Sequence, residues 1–224
     1  MNILRVVLLL FGVLAACWLV LSMISLARPE PRAPESYYPG VGQVFQSRAE
    51  GFTQKIIKAD GDRIWLELIL APHAAGPPAH VHTRFAETFA VVQGDLSVLV
   101  GDQVKVVHAG EEFTVPPGTP HRPFKPTDNE VIVRGPLTPK YALPRDFVLF
   151  LSQMYGFMDE SPTHTKPPAI LLQMSIFAPR YDSWLAKPPL VIQRALYGLL
   201  RPIARALGYR SYYARYVLQA AGHP

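Results

Sequence analysis

A chain of 224 residues, 49% of them apolar, allows one domain of ordinary size with appendages. Its lone cysteine, Cys17, excludes a disulfide framework and any cysteine-based zinc site. The formal net charge of +5 belongs to the tail: from Arg180 onward seven Lys/Arg face Asp182 alone, whereas the remainder holds 15 basic and 16 acidic residues.

After Arg5 an apolar run extends from Val6 to about Ala27, broken only by Ser22 and Ser25. About 20 apolar residues span a bilayer as a helix, so residues 1–27 are expected to form a single-pass membrane anchor. A cleaved signal is the rival reading, but its apolar core covers only about 7–15 residues. Ser25-Leu26-Ala27 offers small residues for such a cleavage. Leu14-Ala15-Ala16-Cys17 resembles a lipoprotein box, yet the chain stays apolar from Trp18 to Ile24, where a lipoprotein turns polar. Arg5 on one flank and Arg28 and Arg32 on the other orient the span weakly. The usual habit of single N-terminal anchors would put the following domain on the periplasmic, extracytoplasmic side. Residues 28–43 carry Pro29, Pro31, Pro34 and Pro39 and read as a semi-rigid linker.

From Val44 the period changes to two. Strands are expected at Gln54–Lys58 and Arg63–Leu70, joined by a hairpin at Asp60-Gly61. Pro72–Ala79 is a loop. Further strands follow at Ala86–Gln93, Leu96–Val100, Gln103–His108, Glu112–Val115 and Val131–Arg134, with turns at Gly94-Asp95, Gly101-Asp102 and Ala109-Gly110. Many short strands with tight turns predict an antiparallel sandwich or barrel over residues 44–140.

Residues 141–224 read as a helical, basic extension. Asp146 is expected to cap a helix reaching about Phe157, and Pro167-Pro168 to open a second. A third runs from Pro189 to Leu207, ended by Gly208 and kinked or split at Pro202. On its wheel Arg194, Arg201 and Arg205 form one stripe, with Ile192, Leu196, Leu199, Ile203 and Leu207 opposite. That pattern suits a helix in a membrane interface, or one packing its apolar face on the barrel or a second subunit. A basic tail also suits nucleic acid, but the span and the lack of a recognition motif argue against it.

The chemistry gathers between His80 and His121. His80 and His82, two apart on a strand, would share a face. Glu87 follows on the next turn or strand, and His121 comes from a later one. Three imidazoles and a carboxylate suit one divalent transition metal: Fe, Mn, Ni, Cu or Zn. The spacing resembles the two signature motifs of the cupin superfamily. His80, His82, Glu87 and Gly94 match the first; Gly110, Pro116, Gly118 and His121 match the second. Two positions depart: Ala74 stands for the leading glycine, with Gly76 nearby, and Lys125 for the trailing asparagine.

The resemblance covers about residues 40–136. It implies a double-stranded β-helix (jelly roll) and a metal held by His80, His82, Glu87 and His121. It leaves a homodimer through the barrel edge open. By strand parity Lys125 and Arg84 face inward, where they would orient a substrate anion or pair with local carboxylates. Phe85, Phe89 and Phe124 would line the barrel. His73 is a candidate neighbour of the ligands; His108, His164 and His223 fit no ligand spacing. Two functions stay open, because one fold serves many chemistries. One is a membrane-anchored, metal-dependent dioxygenase or oxidoreductase acting on a small oxygenated molecule. The other is a non-catalytic binding or sensor module at the membrane surface. A metal-free epimerase of the same fold would lack the full ligand set.

Overall fold

The computed structural model describes residues 2–218. The elements run α1 (Ile3–Ala27), β1 (Val44–Ser47), β2 (Phe52–Asp60), β3 (Arg63–Leu70), β4 (His80–Val81), β5 (Glu87–Gln93), β6 (Asp95–Val100), β7 (Gln103–His108) and β8 (Glu112–Val115). They continue with β9 (His121–Phe124), β10 (Val131–Val133), β11 (Leu143–Pro144), α2 (Arg145–Glu160), α3 (Ala169–Tyr181), β12 (Trp184–Leu185) and α4 (Leu190–Ala206).

The strands form two antiparallel sheets. One has the order β1-β2-β3-β10-β5-β8, with β11 added to β3; the other is β12-β4-β9-β6-β7. Leu70, Phe89, Val91 and Val131 from the first sheet meet Leu96, Val98 and Val107 from the second in one core. This arrangement fits a β jelly roll, with buried and outward-facing residues alternating along strands such as β1 and β9. Ile64 and Val131, for example, are wholly buried, while Lys55 and Lys105 face outward. The hairpin forms one residue later than expected: Asp60 pairs with Arg63, leaving Gly61-Asp62 as the loop, and Gly61 takes the required positive φ of 56°.

A second core lies under the helices, where Phe147, Phe150, Phe177, Tyr181, Trp184 and Tyr197 pack together. Large aromatic faces of this kind stabilise mainly by the area they remove from water. Two expectations are corrected here. Asp146 does not cap α2: the helix starts one residue earlier, and Asp146 instead accepts a 2.7 Å hydrogen bond from Tyr38. Nor does Pro202 split α4, which runs unbroken through it; Pro202 is buried, on the side packed against α3 rather than in water.

The helix α4 presents a second surprise. Its apolar stripe does not pack on the barrel: Val191, Ile192, Leu196, Leu199, Ile203 and Leu207 are exposed. The buried side consists of Gln193, Tyr197, Pro202 and Ala204. Of the arginine stripe, Arg194 lies over Trp184, Arg205 donates to the Ser25 and Arg28 carbonyls at the end of α1, and Arg201 is exposed. Free carbonyls at a helix C-terminus favour such a cation. Trp18 adds a 2.9 Å hydrogen bond to the Leu199 carbonyl, so α4 runs beside the last third of α1. The helix α1 is long and apolar enough to cross a bilayer, and none of its residues is buried.

Gly76 fastens the loop before β4 onto β9. Its φ is +67°, and a Cβ there would lie 2.0 Å from the Pro123 carbonyl oxygen. Gly76→Ala therefore combines a strained φ with a backbone clash and should destabilise the fold by at least about 2 kcal/mol, seen as a lowered Tm.

Candidate metal centre

His80 begins β4 and pairs directly with His121, the first residue of β9. His82 follows on the same face, and Glu87 opens β5. One donor atom from each of the four lies within 4.8 Å of all the others. His82 and His121 are only 2% exposed.

The second nitrogen of each ring determines what the first can do. His80 Nδ1 lies 3.0 Å from the Pro78 carbonyl, His82 Nδ1 2.8 Å from the Asp182 carbonyl, and His121 Nδ1 3.0 Å from the Thr119 carbonyl. A carbonyl only accepts, so each Nδ1 carries the hydrogen and donates. In the neutral rings every Nε2 is then a lone pair aimed at the cluster. Glu87 Oε2 sits 3.1 Å from His121 Nε2 and 3.7 Å from His82 Nε2. His82 Nε2 is buried and has no hydrogen-bond partner among the described residues. Converging lone pairs in a buried site demand a cation or a shared proton between them.

The electrostatics keep two of the three imidazoles neutral. Burial, reinforced by the charges of His82 and His121, pushes His80 down to about 3. Burial likewise lowers His82. Burial would raise Glu87, but the His121 hydrogen bond and the charges of the three imidazoles outweigh it and hold the carboxyl down at about 2. Burial would lower His121, yet its bond to Glu87 raises it. Two neutral imidazoles, a third paired to an ionised carboxylate, and no thiolate form a donor set for Fe, Mn, Ni, Cu or Zn.

The helices hold this set in place. Asp182 ends α3 in the left-handed conformation, with φ +57°. Its carbonyl orients His82, and its buried carboxylate accepts from Thr83 N, Thr83 Oγ1, Arg84 N and Trp184 Nε1 at 2.6–3.0 Å. Beyond it β12 pairs with β4, matching Leu185 to His80. Phe85 stacks on the His82 ring at 4.4 Å, and Phe147 meets it edge-on at 4.6 Å. The metal-ligand strand is thus clasped by the C-terminal helices.

A cavity of about 370 Å³ opens against the centre, with His80 and Glu87 in its wall. Such a volume suits a small organic ligand. Phe147, Phe150, Leu151, Met154 and Met174 supply much of the remaining lining. On another side Glu50 and Gln54 contribute polar atoms, and Tyr155 joins them. Gln54 Nε2 donates to Tyr155 Oη at 3.4 Å, and the Tyr155 hydroxyl bonds Glu50. Burial raises Glu50 to about 7.

Several expected residues stand elsewhere. Arg84 does not face inward: β4 ends at Val81, so strand parity lapses, and Arg84 projects outward with a 3.5 Å ion pair to Asp182. It borders a separate surface hollow with Arg194 and Arg201. Lys125 is buried, but it bonds Thr127 and lies outside the cavity lining. Phe89 joins the barrel core, and Phe124 lies under Arg122. His73 pairs with Asp128 at the surface and His108 with Asp95; His164 bonds the Phe157 carbonyl. His223 lies outside the described residues. Asp182 and the Glu50–Gln54–Tyr155 group carried no sequence signal, because neither follows a motif or a period.

Comparison with known proteins agrees with this geometry. Residues 66–134 match the cupin domain family, a segment holding all eight motif residues. No curated protein matches the chain. Similar solved structures include a cupin-2 domain protein from Shewanella frigidimarina, at 23% identity over 37% of this chain and 78% of that one, with TM-score 0.32. Another is KdgF from Halomonas sp., at 22% identity over 45% and 90%, with TM-score 0.36. A third is a sugar phosphate isomerase from Silicibacter pomeroyi, at 18% identity over 46% and 72%, with TM-score 0.36. Residues 66–134 thus match a cupin domain, and within them lies a four-residue cluster suited to metal.

Asp182→Ala should strand the Thr83, Arg84 and Trp184 N–H donors and loosen the strand end beside His82, while the residue-182 carbonyl that holds the His82 ring remains. We expect a loss of about 2–4 kcal/mol in unfolding free energy and a metal affinity about 10–100-fold weaker, read by titration of the purified chain. Glu50 gives a pH dependence. Its pKa rises from the ordinary 4.5 to about 7 on folding, so its share of stability is complete below pH 4.5 and lost as pH climbs to about 7. Glu50→Gln should flatten that fall, worth up to about 3 kcal/mol, in denaturant melts between those two pH values.

Proposed function

We propose that this cupin domain is a metal-dependent oxidoreductase of dioxygenase type, held at a membrane surface and acting on an oxygen-bearing organic molecule. The observation that supports this reading most is the wall shared by the metal ligands and the cavity. The Nε2 atoms of His80, His82 and His121 and the Glu87 carboxylate would hold a divalent ion beside that cavity. When bound, it supplies Lewis-acid polarisation of substrate oxygens and, for a redox-active ion, dioxygen chemistry.

The protein's own residues prepare that chemistry. The three Nδ1–H bonds fix ring orientation, and Asp182 locks the strand bearing His80 and His82. Phe85 and Phe147 keep water from the His82 ring. Lys125 and Arg84 lie away from the cavity lining, so substrate orientation falls to the cavity itself. Among the described residues no cationic side chain lines that cavity, which favours a neutral or weakly charged substrate over a strongly anionic one.

The membrane reading rests on α1 and α4 together. If α1 spans the bilayer, α4, packed on its last third, lies in the interface with its exposed apolar stripe toward lipid. A chain beginning at Arg28 should still bind phospholipid vesicles, and Ile192→Asp with Leu199→Asp should weaken that binding at least tenfold in co-sedimentation. Vesicle binding unchanged by the pair, or absent in the parent, would remove α4 from the interface. For the reaction, metal-loaded protein should take up oxygen with some member of a panel of enediols, flavonols and keto acids. His80→Ala should abolish that uptake. Tight ligand binding without any turnover would favour the non-catalytic sensor instead.

A further inference from the structure

The cavity carries two polar ends with an apolar middle. One end is His80 and Glu87. The other is the Glu50–Gln54–Tyr155 group, on β2, the turn before it, and α2. In the sheet, β3 and β10 stand between β2, which bears Gln54, and β5, which bears Glu87. Phe147, Phe150, Leu151, Met154, Met158 and Met174 also line the cavity. Methionine and leucine walls adapt to flexible apolar chains.

The far end is not satisfied internally. Gln54 is 4% exposed, yet its Oε1 has no hydrogen-bond partner among the described residues. Its Nε2 is spent on Tyr155, whose hydroxyl is spent on Glu50. Gln54 Nε2 gives a hydrogen to Tyr155, and Gln54 Oε1 is left over as an acceptor. A buried acceptor without a partner costs free energy until something donates to it. The missing partner is a donor, such as a hydroxyl.

The cavity also reaches toward α4. Trp184 and Tyr197 stack at 6.1 Å and line it, and Tyr197 belongs to the helix whose other face exposes the apolar stripe beside α1. On the membrane reading above, an apolar ligand would find the site close to the bilayer in which it dissolves.

We propose that the cavity takes an elongated lipid-like molecule, with an oxygen function at the metal ligands, an apolar chain against α2 and α3, and a hydroxyl donating to Gln54 Oε1. This deepens the proposed function by naming its substrate class, and it rests on that reading for the metal end. Residues Gln54 and Glu50 become specificity determinants, and Met154 a wall of the chain channel.

The test uses the full chain in phosphatidylcholine nanodiscs, with lauric acid and ω-hydroxylauric acid as probes and native mass spectrometry as readout. Metal content is measured on the same samples. The expected result is one adduct per chain, with the ω-hydroxy acid bound roughly tenfold more tightly than lauric acid, the worth of one buried hydrogen bond. Gln54→Leu should erase that preference and keep the binding of lauric acid. Met154→Arg should remove both adducts while leaving metal content unchanged; Met154→Trp, a gentler filling of the channel, should weaken both if the arginine variant does not fold. Multiple adducts insensitive to the Met154 variants would mean adsorption on the exposed helices and would overturn the proposal. So would equal affinity for the two acids in the parent. Loss of metal with normal lipid binding would strike the metal reading alone.

Discussion

The centre depends on one hydrogen bond between distant parts of the chain: His82 Nδ1 to the Asp182 carbonyl, 2.8 Å long. It fixes the tautomer of a buried ring, and with it the direction of the Nε2 lone pair. The same residue's carboxylate gathers four donors from Thr83, Arg84 and Trp184 and so immobilises the strand end that carries two ligands. The cost of a buried carboxylate is offset here by its full set of hydrogen bonds, and they hold its pKa down despite burial. A bare β barrel would present the four ligands. The helices are what make two of them rigid.

The same clasp explains the position of the cavity. Because β12 must reach β4, the helices α2 and α3 are drawn over the open side of the barrel. Their aromatic and methionine side chains roof the space beside His80 and Glu87. The extension therefore serves as one wall of the site, with α4 as its outer layer. Burial is why His80 and His82 resist protonation, and the neighbouring imidazoles are why the Glu87 carboxylate stays ionised despite burial.

Much of this was legible in the residues themselves. Alternation and Gly-Asp turns marked the long strands, and the His80–His121 spacing marked the ligands, because both are written in local periods and motifs. The short strands β11 and β12 were not visible: two residues have no period, and their pairing is decided by partners far along the chain. Arg84 shows how parity misleads. The count by two from His82 holds only while the strand continues, and the backbone bends into the Asp182 clasp just there. Asp146 likewise satisfied the rule for a helix cap, but the Tyr38 hydroxyl competed for it. Gln54 and Glu50 read as ordinary strand and turn polar groups until the cavity beside them is seen.

The central claim is that His80, His82, Glu87 and His121 bind one metal ion. Its most direct test is elemental analysis of the full chain, purified without chelator or nickel resin, beside His82→Ala. The account predicts a near-stoichiometric content of Fe, Mn, Ni, Cu or Zn in the parent, lost in the variant. A parent that is empty, and that takes up none of these ions when they are added, would contradict it.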